Sequence, residues 1–109
     1  MTAAVTTVRF AIVVARADDW PTARALGLAA RRQDHEVALF VMADAVGALA
    51  GDGPGREALL DADCALVACA TSAHGLGLGP DQLGDEVLLG SQDDHAAILA
   101  RADRVVALT

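Results

Sequence analysis

The sequence predicts an α/β domain, a small three-layer sandwich whose sheet is mostly parallel and has about five strands. Three observations predict it. Short β-branched runs alternate with longer amphipathic or alanine-rich stretches, the order in which strands and crossover helices build a parallel sheet. The runs are almost continuously apolar, as strands buried on both faces are, rather than alternating apolar with polar. A length of 109 residues suits one core and leaves no room for a second, so residues 1–109 read as a single domain.

The elements follow in order. Val8 to Ala15 (VRFAIVVA) is the first strand. Trp20-Pro21 opens a helix that runs to Arg32, with proline tolerated in the first turn and alanine, leucine and arginine favouring helix beyond it. Val37 to Met42 (VALFVM) is the second strand. Asp44 is placed to cap a short helix through Ala50, and the glycines and proline of Gly51 to Gly55 predict a loop. Arg56 to Asp61 offers a short helix, and Cys64 to Ala70 (CALVACA) a third buried strand. His74 to Gly84, with four glycines and a proline, reads as a broken helix or loop. Val87 to Leu89 is a short strand, Ser91-Gln92-Asp93-Asp94 caps a last helix, and Val105 to Leu108 is the last strand. Functional groups in such a sheet gather at the carboxyl ends of the strands, here Arg16 to Asp19, Ala43-Asp44 and Cys69 to Ser72.

Composition excludes several functions. Alanine supplies 25 residues, lysine none, and all eight positive charges are arginine against 15 acidic residues, a net charge of −7. An acidic chain without a basic stripe does not grip a phosphate backbone, so no nucleic-acid partner is expected. Cys64 to Pro80 is the longest charge-free window, but Gly75, Gly77 and Gly79 interrupt it and it is too short for a membrane span of about twenty apolar residues. The opening MTAAVTTVRF lacks the pattern of a secretory signal, and two cysteines in such a chain fit a reducing compartment; a cytoplasmic protein is expected.

The remaining motifs read as structure. Gly75 to Pro80 lacks the lysine and hydroxyl pair of a phosphate loop and is a turn. His35, His74 and His95 show no zinc-ligand spacing with the cysteines, so neither metal nor cofactor is expected. Asp18 and Asp19 suit a turn before Pro21, and Asp93, Asp94 and His95 a capped, solvated helix face. Ala23 to Ala30 is apolar almost all round, which calls for burial on more than one side; a neighbouring subunit would supply the second cover.

The cysteines carry the chemistry. Five positions along one strand, at about 3.3 Å each, separate Cys64 and Cys69 by roughly 16 Å on opposite faces. A disulfide needs Cα atoms within about 7 Å and is excluded. Cys64 begins the strand and packs as a small hydrophobe. Cys69 ends it, opening into Ala70-Thr71-Ser72; if a helix starts there, its free amides favour a thiolate, the nucleophile of sulfur chemistry. A cysteine among alanines and valines can equally be simple core.

CALVACATSAHGLG, the opening RFAIVVAR, HEVALFVMADAV, and the downstream VLLGSQDDHAAILARADRVVAL together resemble the DsrE/DsrF-like family, over most of the chain. The resemblance implies a small α/β sandwich, a homo-oligomer that is often a trimer or hexamer, and, in the family's sulfur-relay branch, a persulfide carried by the cysteine that matches Cys69. Two departures stand out: Ser72 occupies the place of a second cysteine found in some members, and Leu76 stands before Gly77 where a basic residue is frequent. His74 could substitute for that residue. The expected function is therefore a sulfur carrier or sulfurtransferase-like protein with Cys69 catalytic and Thr71, Ser72 and His74 binding the transferred sulfur, exchanging it with donor and acceptor proteins. The rival, from another class, is a non-catalytic oligomeric module that binds a small ligand or protein at the same strand ends. A redox-sensing thiol is a third reading.

Overall fold

The computed structural model describes residues 7–109 and shows five strands and six α-helices among them: β1 Arg9–Val14, α1 Trp20–Arg32, β2 Glu36–Val41, α2 Ala45–Gly51, α3 Gly53–Asp61, β3 Ala65–Cys69, α4 Ala70–Gly75, α5 Pro80–Leu83, β4 Leu88–Gly90, α6 Gln92–Arg101 and β5 Arg104–Leu108. A single 3-10 turn, Ala17–Asp19, joins β1 to α1. Residues 1–6, part of the stretch read as lacking a secretory signal, lie outside the described residues.

All four strand pairings are parallel, in the order β4-β3-β2-β1-β5. The chain lays β1 to β4 side by side in one direction, then crosses back so that β5 lies beside β1. Right-handed crossovers put connections of opposite direction on opposite faces. Packing follows that rule. Ile12, Val14, Leu39, Val41, Leu66 and Ala68 share one core with Trp20 and Ala23 of α1, Leu49 of α2, Leu59 of α3 and Leu83 of α5. The intervening strand residues Val13, Phe40, Val67 and Cys69 form a second core on the other face, covered by Ile98 and Leu99 of α6. Period-two alternation thus divides each strand between two apolar layers, which is why the strands read as continuous apolar runs.

The two layers differ in depth. The first holds most of the side chains with no exposure at all, among them Leu39, Leu49 and Leu59, and the second holds one, Phe40. Among the described residues α6 is the single helix on the second face, and none of its residues is fully buried. Val105 and Leu88 flank it on that face, half exposed at 50% and 56%, because Val105 pairs with Ala11 and Leu88 with Val67. Helix α1 buries one stripe, Trp20, Ala23 and Gly27, with Gly27 set between Leu39 of the sheet and Leu59 of α3, and among the described residues nothing covers Leu26, which is exposed.

The described segments correct the sequence reading at particular places. Asp44 makes no cap bond, because its own backbone is already helical. The loop predicted from Gly51 to Gly55 is a near-continuous helical corner broken at Asp52, and α3 starts at Gly53 rather than Arg56. Asp52 explains this. Its carboxylate accepts from the Gly55 amide at 3.1 Å, capping α3, and also from Trp20 Nε1 at 2.9 Å and from the Arg24 guanidinium. That one side chain ties α1 to the corner, and a Cβ on Gly55 would collide with it. Pro54 sits in the first turn of α3, where its missing amide costs nothing. His74 to Gly84 divides into the end of α4 and the single turn α5. The last helix begins as expected, with Ser91 Oγ accepting from the Asp93 and Asp94 amides and Asp94 reaching back to the Ser91 amide at 2.7 Å.

Candidate functional site

Strand β3 runs without a loop into α4. Cys69 is its last residue, extended at φ −63° and ψ 118°, and Ala70 is already helical. The small residues Ala70, Thr71, Ser72 and Ala73 let this turn fit against the sheet, with Ala73 buried. Cys69 therefore stands at the helix N-cap, with its side chain on the α6 face and 6% exposed.

The uncharged side chain closes no cap bond with α4. The surrounding donors serve the thiolate instead. Burial alone would raise the Cys69 pKa, but the Ser72 hydroxyl, the Ser72 and Thr71 amides and the Gln92 side chain all favour the anion, and together they hold the thiol below its ordinary value. Ser72 is itself held: its Oγ accepts from the Ala43 amide at 2.9 Å, leaving the hydroxyl proton free for sulfur. Ala43 reaches it from the end of β2 in a left-handed conformation, φ 50°.

Cys64 is the opposite case. It lies in the first core, 4% exposed, with Sγ 3.9 Å from the Gly27 carbonyl oxygen. Burial, against the Arg31 charge and with help from Asp63, pushes its pKa up to about 11. The two thiols are free and occupy opposite faces, as their odd spacing required.

Of the residues singled out in the sequence, Cys69, Thr71 and Ser72 come together. His74 stands exposed in the last turn of α4 and is not among the groups that favour the Cys69 thiolate. Leu76 is 46% exposed. Ala43, at one of the strand ends expected to gather functional groups, holds the Ser72 hydroxyl. Two further residues join the site that sequence reasoning missed. Gln92 arrives because Gly90 is the register partner of Cys69, and α6 begins two residues later. His95, read as part of a solvated face, is half-buried and stacks on Phe40, ring centroids 4.5 Å apart and planes 4° from parallel. The signal for both was topological: adjacent parallel strands bring the ends of β2, β3 and β4 together.

Among the described residues, no group of three or more His, Cys, Asp or Glu could hold a metal ion, and no helix is long and apolar enough to cross a membrane. A cavity of about 340 Å³ opens at the amino ends of the strands, between Arg9, Glu36, Ala65 and Arg101, and does not reach Cys69.

The profile of the DsrE/DsrF-like family matches residues 9–108. Among solved structures, the chain is similar to the YchN protein of E. coli, at 24% identity over 94% of this chain and 100% of that one, TM-score 0.83. It is also similar to a conserved protein of unknown function from Bacteroides thetaiotaomicron, at 13% identity over 98% of this chain and 100% of the other, TM-score 0.74. No curated protein sequence matches it.

Proposed function

The chain belongs to the DsrE/DsrF-like family, and from that premise we propose that it is a sulfur carrier that holds a persulfide on Cys69 and passes it to a partner thiol. One observation carries the reading: Cys69 stands at the junction of β3 and α4, where the Ser72 hydroxyl, the Thr71 and Ser72 amides and Gln92 favour its thiolate, while Cys64 is buried against ionisation. The Cys69 thiolate attacks the terminal sulfur of a donor persulfide R–S–SH. A new S–S bond forms, the donor's S–S bond breaks, and R–S⁻ leaves, giving Cys69–S–SH. The same exchange run against an acceptor thiolate discharges it, so no external oxidant or reductant is needed. Thr71 and Ser72 supply the donors for the bound sulfur in both states. With Ser72 where a resolving cysteine would stand, the loaded persulfide has no neighbouring thiol to attack it and persists until a partner arrives.

The carrier works as a homo-oligomer in this proposal, its second face covered by other copies of the chain. Val105 and Leu88, exposed beside α6 on that face, support the reading.

Intact mass after incubation with a persulfide donor tests the carrier. The native chain should gain about 32 Da per loaded sulfur. Cys69→Ser should abolish the gain and Cys64→Ser should retain it. A native chain that gains nothing at Cys69 overturns the proposal and leaves the non-catalytic binding module.

A further inference from the structure

We propose that His95 is a positioning residue for Cys69, acting through Gln92: its Nδ1–H fixes the Gln92 carboxamide with the oxygen turned toward the imidazole and the nitrogen toward the sulfur. The inference deepens the assignment of Cys69 as the reactive thiol and rests on it.

A glutamine beside a cysteine is ambiguous on its own. Its carboxamide can offer sulfur either an N–H donor, which favours the thiolate, or a carbonyl oxygen, which opposes it, and the two orientations have nearly the same shape. Something must choose between them. Gln92 Oε1 lies 3.2 Å from His95 Nδ1. With the proton on Nδ1, the imidazole donates to that oxygen, and the carboxamide N–H of Gln92 is left for Cys69, whose thiolate it favours. The ring itself is fixed. It stacks face to face on Phe40, which is wholly buried in the same apolar layer as Cys69, Val13 and Val67.

The position of α6 is determined as well. Gly90 pairs with Cys69, and a Cβ there would lie 2.6 Å from Val67 Cγ1, so the end of β4 is drawn in against β3 as only glycine permits. Ser91 then starts α6 through its reciprocal cap with Asp94, whose carboxylate is occupied by the Ser91 amide and hydroxyl. Gln92 and His95, three residues apart, fall on one side of the first turn. The chain from Phe40 to His95 to Gln92 to Cys69 thus links the buried sheet to the reacting atom, and every member but Cys69 and Phe40 comes from the start of α6.

The test is the pH profile of Cys69 alkylation by iodoacetamide, read on the Cys69 peptide by mass spectrometry, in the full-length chain. Gln92→Ala and His95→Phe should each move the midpoint to higher pH and slow alkylation at neutral pH several-fold. His95→Phe retains an aromatic ring for Phe40 and loses only the donor. His95→Asn, which offers an amide N–H near the Nδ1 position, should restore most of the native profile. The double variant Gln92→Ala/His95→Phe should match Gln92→Ala alone, because His95 acts only through Gln92. The inference is overturned by a His95→Phe profile equal to the native one, by a rate lowered equally at every pH with no move in midpoint, by additive effects in the double variant, or by failure of His95→Asn to restore. Alkylation requires no sulfur donor. A chain that shows these shifts but never gains sulfur defeats the carrier and leaves the His95 inference standing, whereas a native Cys69 that does not alkylate below the range of an ordinary thiol defeats the reactive-thiol assignment beneath both.

Discussion

The amide of Ala43 donates to Ser72 Oγ at 2.9 Å, bridging the end of β2 to the first turn of α4. A serine hydroxyl has one proton and two lone pairs, and with one lone pair taken by Ala43 its proton is left for the Cys69 sulfur. Ser72 is thus the residue through which the backbone of one strand end influences the chemistry of the next.

Ser72→Ala should weaken the nucleophile. It removes the largest of the groups that oppose burial at Cys69, so the thiol rises toward its ordinary value and alkylation at neutral pH slows. A hydrogen bond worth about 1 kcal/mol corresponds to roughly a fivefold loss in rate. Ser72→Thr keeps the hydroxyl and should lose less. A Ser72→Ala protein as reactive as the native one would remove Ser72 from the site.

Ala43 adopts φ 50° with a Cβ, a conformation that costs an L-residue about 1–2 kcal/mol. Ala43→Gly relieves that cost and gives back part of it as unfolded-chain entropy. A net gain of about 0.5 kcal/mol is expected, visible as a rise of roughly 2 °C in Tm. The amide that holds Ser72 is retained, so Cys69 alkylation should not change. A fall in Tm would mean that the conformation is not strained.

The sheet was legible in the sequence because both of its faces are apolar: RFAIVV, EVALFV and ALVAC announce strands whichever layer they face. The opposite placement of Cys64 and Cys69 followed from their odd spacing alone. The corner at Gly51 to Gly55 was misread because glycine and proline count as breakers locally, while the Asp52 carboxylate, with partners on α1, reorganises them into a helix start. Gln92 and His95 were illegible as site residues for a different reason, whereas the strand-end rule already pointed to Ala43. Gln92 and His95 are both brought to the Cys69 end of the sheet by the pairing of β4 with β3, and no local pattern encodes that register.

Cys64 should make the protein sensitive to alkali. Its folded pKa is about 11 against an ordinary 9.0, so between those values the unfolded chain loses the proton while the folded chain keeps it. With fewer protons bound in the unfolded state, stability falls as pH rises. The contribution is intact below about pH 9 and is lost progressively toward pH 11. Denaturant melts across that window should show the loss, and Cys64→Ala should have a shallower slope, offset by a pH-independent cost of the smaller side chain. Equal slopes would show that Cys64 ionises freely in the folded state.

Val105→Asp separates an isolated chain from an assembly. Val105 is 50% exposed in the single chain, where such a surface change shifts stability by about 0.5 kcal/mol or less. Under an apolar contact between copies, the same substitution places a carboxylate without a partner in the interface and should dissociate it. Light scattering at micromolar concentration should therefore find an oligomer for the native chain and a smaller species for the variant. A native protein that is monodisperse as a single chain would refute the assembly.

Gly90→Ala tests whether the close approach of β4 to β3 sets the site. A Cβ at Gly90 would meet Val67 Cγ1 at 2.6 Å and Asp94 Oδ2 at 2.9 Å. Val67 is 6% exposed and packed under α6, so it cannot simply rotate away, and Asp94 is engaged in the cap that starts the helix. The strand end must shift outward, at a cost of about 1–3 kcal/mol. Because Gly90 pairs with Cys69 and leads directly into α6, the same shift carries Gln92 and His95 away from the sulfur. Gly90→Ala should thus lower Tm and also move the Cys69 alkylation profile to higher pH, in the direction of Gln92→Ala. Adding Gln92→Ala should then move the profile little further, while a profile unchanged by Gly90→Ala despite a lower Tm would show that the site tolerates displacement of its helix.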